Sequence, residues 1–287
     1  MRRLRGLICL VFVVSGIAAA VFFVKSKMVE DNTPPVITCE KEEIEISVED
    51  DESALFEGIK AKDNRDGDLT DSVRISSMSH FINGKRNVTY AVFDKSNQVG
   101  TLQRTVTYSD YKSPRIYLKK PLRFLLNNSD EINFEGYFEA EDCLDGDISN
   151  QVRPIMDNNY YGVQEGTFEV TLQVSNSAGD VCSVPVEMQI AYTDDEDEQE
   201  KEYPVLSKYI VYTKVGKEIK EEKYLEGISR GNTEYSFEDS MTVSESDIKI
   251  KSKVDYNKAG VYTVEYSYKA SGAPKAVTKL YVVVEEK

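Results

Sequence analysis

Ala61-Lys-Asp-Asn-Arg-Asp-Gly-Asp-Leu-Thr-Asp-Ser-Val-Arg74 and Ala140-Glu-Asp-Cys-Leu-Asp-Gly-Asp-Ile-Ser-Asn-Gln-Val-Arg153 are two copies of one motif. Asp63 and Asp66 in the first copy correspond to Asp142 and Asp145 in the second, at a constant spacing of 79 residues. A fixed period of this size is the length of a small β-sandwich. The repeat therefore predicts tandem copies of one domain type.

Apolar and polar residues alternate with a period of two around both motifs, which is typical of half-buried strands. The same alternation returns near the C-terminus, in a third unit that lacks the Asp-Gly-Asp sequence. The alternating segments are residues 88–92, 102–108, 166–174, 184–190, 260–268 and 280–284. Outside the first 27 residues no helical stripe of useful length occurs, so the predicted fold class is all-β.

These patterns divide the chain into six predicted segments. The acidic run at residues 194–202 repels itself and cannot bury a core, which indicates a linker. The segments are a basic tip with a transmembrane signal-anchor (1–27), a stalk (28–33), domain 1 (34–110), domain 2 (111–193), the acidic linker (194–202) and a divergent domain 3 (203–287).

The N-terminus carries a membrane signal. Residues 7–24 are free of charge, and as a helix they would span about 27 Å, close to the hydrocarbon thickness of a bilayer. Arg2, Arg3 and Arg5 precede this run, which predicts that the remainder of the chain is extracellular. The alternative is a cleaved signal peptide, for which residues 18–20 (Ala-Ala-Ala) offer a site. Because the apolar run continues past that site, we favour one uncleaved transmembrane helix.

Composition restricts the classes of function. The formal net charge is −15 and there is one histidine, His80. An acidic surface repels nucleic acid, so no nucleic-acid partner is expected. A single histidine makes the commonest catalytic triads and zinc sites hard to assemble, and the chain has no nucleophile-elbow or phosphate-loop motif. We therefore predict no catalytic residue, and we expect that the protein is not an enzyme.

Several motifs together resemble a known family. Pro34-Pro35-Val36-Ile37 is followed by the acidic motif at residues 61–70, the strand at 88–92 and a closing Thr105-Val106-Thr107. This order resembles bacterial immunoglobulin-like domains of the type found in pesticidal crystal proteins and surface proteins, which are related to HYR modules. The resemblance implies tandem immunoglobulin-like β-sandwiches of about seven strands, at the cell surface, with an adhesive or spacer role and without catalysis.

Two interpretations of the acidic motif stay open. The first is a calcium site, since carboxylates are the hard oxygen ligands that Ca²⁺ prefers. The second is a structural turn, in which glycine takes a positive φ, the aspartates accept backbone N–H groups, and the recurring Arg74 and Arg153 pair with carboxylates. The spacing is not that of an EF-hand loop, so we favour the turn. The candidate calcium ligands are Asp63, Asp66, Asp68, Asp142, Asp145 and Asp147.

Cysteine use leaves a second alternative open. Cys39, Cys143 and Cys182 lie outside the predicted anchor, and an extracellular location permits oxidation. Cys143 and Cys182 fall in one predicted domain, and they either form a disulfide or remain separate thiols. No CxxC pair occurs, so a zinc site is not expected.

We expect a membrane-anchored bacterial cell-surface protein with a non-catalytic role in binding, adhesion or spacing. The partners would be the membrane, through the N-terminal helix, and a surface protein, glycan or cell-wall ligand. The alternative is an accessory structural subunit of a membrane or cell-envelope complex. The tyrosines of domain 3 either form a contact surface or fill the faces of strands.

Overall fold

The alternating segments form strands that bury one face. Val88, Tyr90 and Val92 are fully buried, while the residues between them are half-buried. The structure is a computed structural model, and it describes residues 11–23, 32–82, 84–127, 131–156, 164–231, 233–239 and 243–286. The chain divides into two compact units, Met1–Asp110 and Tyr111–Lys287.

The first described segment of the chain, residues 11–23, is a helix. Within the described residues, no helix is both long enough and apolar enough to cross a membrane. The predicted anchor, residues 7–24, extends beyond this helix at both ends, and residues 1–10 and 24–31 lie outside the described part of the chain. The membrane anchor and the stalk therefore stay predictions.

The first unit contains one sandwich of two sheets. Its strands are β1 (Val36–Cys39), β2 (Glu43–Ile46), β3 (Ile59–Asp63), β4 (Gly67–Asp68), β5 (Arg74–Met78), β6 (Lys85–Phe93) and β7 (Val99–Tyr108), with 3₁₀ turns at Glu52–Phe56 and Thr70–Ser72. The sheet orders are β1-β3-β4 and β2-β7-β6-β5. Strands β2 and β7 are parallel and the other neighbours are antiparallel.

The second unit begins with a sandwich of the same order. Its strands are β8 (Arg115–Leu118), β9 (Leu122–Leu126), β10 (Phe138–Asp142), β11 (Gly146–Asp147), β12 (Arg153–Met156), β13 (Gly166–Ser175) and β14 (Val181–Tyr192), with a 3₁₀ turn at Ser149–Gln151. The sheets are β11-β10-β8 and β12-β13-β14-β9. Val36 pairs with Lys62 in the first unit and Arg115 pairs with Glu141 here, so the repeat keeps its register.

A further sandwich completes the second unit. Its strands are β15 (Glu202–Leu206), β16 (Ile210–Lys214), β17 (Leu225–Arg230), β18 (Thr233–Ser236), β19 (Lys249–Ser252), β20 (Gly260–Tyr268) and β21 (Ala276–Glu285), with 3₁₀ turns at Glu221–Tyr224 and Glu245–Asp247. The sheets are β15-β17-β18 and β16-β21-β20-β19. The hairpin β17–β18 occupies the place of the acidic hairpins β3–β4 and β10–β11. The predicted all-β, immunoglobulin-like sandwich fold is confirmed.

The acidic segment between the two sandwiches of the second unit has structure of its own. Helix α1 (Glu196–Glu200) begins after Asp195, whose Oδ1 accepts the Glu198 N–H at 3.3 Å. The Glu198 carboxylate is 2.6 Å from Lys201 Nζ and accepts the Tyr203 O–H at 2.6 Å. These contacts offset part of the like-charge repulsion. The predicted domain limits 111–193 and 203–287 stay predictions, because both segments lie in one compact unit.

One continuous apolar core runs through the second unit. Buried residues of both sandwiches, such as Ile116, Met188, Ile210 and Leu280, belong to a single cluster. The first unit has its own cluster, which includes Ile37, Leu55 and the three buried residues of β6. Hydrophobic burial is the main favourable term in folding, so a shared core couples the stability of the two sandwiches.

Polar contacts reinforce this junction. The Tyr212 hydroxyl accepts the Ile116 N–H at 2.9 Å and donates to the Ile116 carbonyl at 3.0 Å, which satisfies the main chain of edge strand β8. Arg115 and Glu285 form a bidentate ion pair at 2.7 and 3.2 Å. Such forked pairs add geometric specificity to the attraction. The two sandwiches of the second unit are therefore held in one relative orientation.

Candidate functional site

The two acidic motifs form tight turns of the same shape. The first acidic turn (Asp63–Asp68) joins β3 to β4, and the second acidic turn (Asp142–Asp147) joins β10 to β11. Gly67 and Gly146 have φ values of +77° and +71°. Only glycine adopts this left-handed region readily, so the turn requires the glycine of each Asp-Gly-Asp sequence.

The aspartate that opens each turn accepts main-chain N–H groups through one oxygen. Asp63 Oδ1 accepts from Arg65 N at 2.8 Å and from Asp66 N at 2.7 Å. Asp142 Oδ1 accepts from Leu144 N at 2.8 Å and from Asp145 N at 3.1 Å. The predicted Asx-type turn is confirmed for this position.

The second aspartate of each turn reaches across to another loop. Asp66 Oδ2 accepts the Lys95 N–H at 2.8 Å, and its Oδ1 is 2.9 Å from Lys95 Nζ. Asp145 Oδ2 accepts the Ser177 N–H at 2.6 Å, and its Oδ1 accepts the Ser177 hydroxyl at 2.6 Å. Each turn is thereby tied to the loop of the following long hairpin, either β6–β7 or β13–β14.

The third aspartate accepts the N–H of the first residue in the 3₁₀ turn that follows. Asp68 Oδ1 accepts the Thr70 N–H and Asp147 Oδ1 accepts the Ser149 N–H, both at 2.9 Å. The hydroxyls of Thr70 and Ser149 accept the N–H groups of Ala61 and Ala140, at 3.1 and 2.9 Å. A buried strand N–H is satisfied in each case, which is the usual condition for burying a backbone polar group.

These hydrogen bonds favour the ionised form of four of the carboxylates, Asp63, Asp66, Asp68 and Asp147. The N–H groups of Asp66 and Arg65 lower the pKa of Asp63, and the main chain and ammonium of Lys95 lower the pKa of Asp66. The Thr70 hydroxyl and N–H lower the pKa of Asp68, and those of Ser149 lower the pKa of Asp147. In each case hydrogen bonding favours the charged form over the neutral one.

The carboxylates of one turn point to different partners instead of converging. Among the described residues, no three Asp, Glu, His or Cys side chains form a group that could hold a metal ion. Calcium binding by Asp63, Asp66 and Asp68 or by Asp142, Asp145 and Asp147 stays a prediction. The first recurring arginine does not act as expected: Arg74 Nη1 donates to the main-chain carbonyls of Asp71 and Val73, at 2.8 and 2.7 Å.

Two buried side chains next to the turns were missed by the sequence analysis. Asp94 and Asn176 open the loops that Asp66 and Asp145 bind, and they are 6% exposed. Asp94 Oδ1 accepts from Gln98 N at 2.8 Å, and Asn176 Oδ1 accepts from Asp180 N at 2.9 Å. A signal was present, because Asp94 and Asn176 each lie two residues after an alternating segment, 88–92 and 166–174.

The cysteines of the described chain form no disulfide with one another. Cys39, Cys143 and Cys182 are all half-buried and unbonded to one another. The Cys143 thiol donates to the Lys112 carbonyl at 3.1 Å, and Cys182 Sγ is 3.8 Å from the Tyr212 hydroxyl. The interpretation as separate thiols is confirmed over the disulfide.

The tyrosines of the last sandwich mainly serve packing. Tyr209, Tyr266 and Tyr281 are buried, and Tyr212 binds the main chain of β8. Tyr235 is the exposed exception among the large apolar side chains of strands β15–β21. Of the two interpretations of these tyrosines, the filling of strand faces is confirmed for the buried ones.

A groove of about 960 Å³ lies beside the second acidic turn. Some of its charged groups already bind one another or a neighbouring side chain. Lys119 is 2.6 Å from Glu139, and the Tyr117 hydroxyl donates to Glu141 at 2.6 Å. We call this surface the junction groove, because both sandwiches of the second unit contribute to it. Its wall includes Tyr117, Lys119, Glu139, Glu141, Asp147, Ser207 and Lys208.

Two family models match the chain. The HYR domain matches residues 30–108, and the bacterial Ig-like domain (group 3) matches residues 231–283. The predicted resemblance is confirmed. The chain carries tandem immunoglobulin-like domains, and families of this type favour a non-catalytic role in binding or spacing. No curated protein matches the sequence.

Several solved structures are similar to parts of the chain. The structure of CBM51-2 with GlcNAc and INT domains from Clostridium perfringens ZmpB is 20% identical, covering 50% of this chain and 29% of that chain, with a TM-score of 0.22. The lipoprotein BT2262 from Bacteroides thetaiotaomicron is 15% identical, covering 86% and 98%, with a TM-score of 0.20. The protocadherin GammaB4 extracellular domain is 10% identical, covering 88% and 49%, with a TM-score of 0.21. This chain spans less than a third of the two ZmpB chains that it matches.

Proposed function

We propose that this protein is a membrane-anchored bacterial cell-surface protein, in which tandem immunoglobulin-like domains hold a non-catalytic binding surface away from the membrane. The HYR and bacterial Ig-like matches support the class of role. The uncharged run at residues 7–24, preceded by Arg2, Arg3 and Arg5, supports the anchor and its orientation.

The observation that carries the spacer role is the junction inside the second unit. A continuous apolar core, the Tyr212–Ile116 hydrogen bonds and the Arg115–Glu285 ion pair resist bending between its two sandwiches. A spacer must keep its outer end at a defined distance. Interfaces within a chain that are small and polar permit relative motion by default, whereas a shared apolar core restricts it.

The junction groove supports a binding role in the same unit. Its wall combines the Tyr117 side chain with carboxylates and with Lys208, which offers apolar contact area together with hydrogen-bonding groups. A surface protein, a glycan or a cell-wall polymer could present matching chemistry. The net charge of −15 disfavours a nucleic-acid partner.

Binding is tested with a soluble fragment of residues 32–287 on glycan arrays, isolated cell walls and intact bacterial cells. Deletion of the last sandwich alone would expose the shared core, so the comparison fragments are 32–110 and 111–287. We expect fragment 111–287 to retain binding and Lys208→Glu to reduce it. Lys258→Glu, an exposed lysine outside the groove, serves as the control. Equal binding by both variants would exclude the groove, and binding by 32–110 alone would exclude the second unit.

Anchoring is tested separately in cells that express the full chain. We expect the protein in the membrane fraction, and Val14→Arg should release it because a charge at the centre of a membrane span costs about 2.5–3.5 kcal/mol. N-terminal sequencing distinguishes the anchor from a signal peptide that is cleaved after residues 18–20. A full-length protein in the soluble fraction would overturn the anchor, and co-purification of a defined membrane complex would favour the accessory-subunit alternative.

A further inference from the structure

The loops that the two acidic turns bind are closed by the same set of hydrogen bonds, which we call the hydrogen-bonding frame. In the first unit, the Asp94 N–H donates to the Gln98 carbonyl at 3.1 Å and its Oδ1 accepts the Gln98 N–H at 2.8 Å. In the second, the Asn176 N–H donates to the Asp180 carbonyl at 3.0 Å and its Oδ1 accepts the Asp180 N–H at 2.9 Å. Asp94 and Asn176 are therefore equivalent positions.

The frames differ at one pair of atoms. In the second unit, Asn176 Nδ2 donates to Asp142 Oδ2 at 3.1 Å, so the carboxylate meets an amide donor. In the first unit, the equivalent atoms are Asp63 Oδ2 and Asp94 Oδ2, and both are acceptors when ionised. Each of these two oxygens is buried and has no hydrogen-bond partner within the described chain. The residues that carry them are 3% and 6% exposed.

Two buried carboxylate oxygens without hydrogen-bond donors need a positively charged partner. Burial of an ionised carboxylate is costly unless it is paired or coordinates a metal. The backbone N–H groups that lower the pKa of Asp63 favour its charged form. The cation on the adjacent loop is otherwise engaged, since Lys95 Nζ is 2.9 Å from Asp66 Oδ1 and its side chain is 86% exposed.

We propose that Asp63 Oδ2 and Asp94 Oδ2 are paired ligands for one hard divalent cation, Ca²⁺ or Mg²⁺, in the first unit. Two carboxylates balance two positive charges, and both ions prefer oxygen ligands, with main-chain carbonyls and water able to complete the shell. This pair differs from the ligand set predicted from the motif, because Asp66 and Asp68 bind Lys95 and Thr70. At the equivalent position of the second unit, Asn176 supplies a donor to Asp142 in place of a second carboxylate.

The test is isothermal titration of the full chain with CaCl₂ and with MgCl₂ after treatment with chelator. We expect one ion per chain in the first unit, and comparison of the two salts assigns the preferred ion. Asp94→Asn should weaken binding about tenfold or more, because it removes one charged ligand and leaves an amide that can donate to Asp63. This variant copies the arrangement of the second unit, so the fold is expected to persist.

Asp71→Asn is the matched control. Asp71 is an exposed residue of the 3₁₀ turn Thr70–Ser72, and the substitution removes the same charge from the same unit. It should leave the affinity unchanged. Hydrogen exchange of residues 94–98 in the full chain gives a second readout, with slower exchange on ion binding in the wild type and in Asp71→Asn only.

Three outcomes would overturn the proposal. The wild type could show neither binding nor slower exchange with either ion. Asp94→Asn could bind as tightly as the wild type. Finally, exchange of residues 94–98 could respond to pH but to neither cation, which would assign a proton shared between Asp63 and Asp94 in place of a metal ion.

Discussion

The first and second acidic turns have the same backbone frame and different chemistry at one position. In both, the opening aspartate accepts two N–H groups through Oδ1, and the second aspartate ties the turn to the next hairpin loop. Oδ2 of the opening aspartate accepts from the amide of Asn176 in the second turn. In the first turn it is buried without a hydrogen-bond partner in the described chain, and the residue equivalent to Asn176 is Asp94. The shared hydrogen bonds thus determine the backbone shape of the turn. The partner of Oδ2 in the opening aspartate does not affect that shape and differs between the two turns.

In the second turn, a third residue, Tyr111, also binds the buried side-chain amide of Asn176. The Tyr111 hydroxyl accepts from Asn176 Nδ2 at 2.9 Å and donates to Asp180 Oδ2 at 2.7 Å. The amide hydrogens therefore meet two acceptors, Asp142 and Tyr111. A fully satisfied polar network of this kind rigidifies a structure, whereas a partly satisfied one is costly. The difference between the turns should therefore appear both in stability and in the response to cations.

The largest effect is expected for Asn176→Asp, which gives the second turn the carboxylate pair of the first. The substitution removes the donor to Asp142 Oδ2 and places a second acceptor against it. We expect a loss of about 2–3 kcal/mol in the free energy of unfolding at neutral pH, measured in chelator by urea titration with hydrogen exchange of β14 as the readout. Ca²⁺ or Mg²⁺ should recover part of the loss.

Asn133→Asp is the control for this prediction. Asn133 is exposed in the same sandwich, and its Oδ1 accepts the Glu135 N–H at 2.8 Å, which a carboxylate can also do. It adds the same charge and should change the free energy by about 0.5 kcal/mol or less. If the two variants were equally stable, the amide of Asn176 would not be the element that distinguishes the turns.

A smaller loss is expected for Tyr111→Phe, which removes the hydroxyl between Asn176 and Asp180. We expect a loss of about 1–2 kcal/mol in urea unfolding of the second unit, because one buried donor and one acceptor lose their partner. Burial raises the pKa of Tyr111, so the hydroxyl stays protonated and the difference from wild type should be constant between pH 6 and about 9. Tyr235→Phe, at an exposed ring, should cost almost nothing; an equal cost for both would contradict the network.

Where the turns are alike, their variants should behave alike. Thr70→Val and Ser149→Ala each remove the hydroxyl that accepts a buried strand N–H, from Ala61 and Ala140 respectively. We expect a loss of about 1 kcal/mol in each unit, measured by urea unfolding, since one buried N–H is left without its acceptor. A difference of more than about 1 kcal/mol between the two would show that the two frames are energetically distinct.

Sequence patterns were sufficient for the fold because the repeat and the alternation are local signals. The predicted segments 88–92 and 166–174 fall inside β6 and β13, and the glycines of both Asp-Gly-Asp sequences have the positive φ that the turn prediction required. The parallel pairing of β2 with β7 was not predictable. It joins segments far apart in the chain, and alternation does not specify a partner.

The candidate site was only partly predictable. The motif indicated which aspartates accept backbone N–H groups, because Asx turns depend on neighbours within three residues. It did not reveal Asp94 and Asn176, which lie 31 and 34 residues after the opening aspartates Asp63 and Asp142, well beyond the reach of a local turn pattern. It also favoured arginine as the neutralising partner, whereas Lys95 binds Asp66 and Arg74 binds carbonyl oxygens.

The smallest expected effect concerns the loop residue that each second aspartate binds, Lys95 in the first unit and Ser177 in the second. The main chain and ammonium of Lys95 lower the pKa of Asp66. A lowered folded-state pKa means that the contribution of Asp66 to stability is present above the unfolded value of about 3.9, and is lost as the pH falls through the folded value. Replacement of Lys95 should therefore reduce the acid sensitivity of this contact.

The test is a carboxyl-carbon NMR titration of Asp66 in the wild type, Lys95→Ser and Lys95→Ala. The Lys95 N–H remains in all three, so the pKa of Asp66 should stay below its ordinary value in each. It should be lowest in the wild type, higher in Lys95→Ser and highest in Lys95→Ala, because serine can donate its hydroxyl as Ser177 does to Asp145 at 2.6 Å. Equal values in the two variants would mean that the hydroxyl does not reach Asp66, and the two turns would then differ in loop geometry as well as in side-chain chemistry.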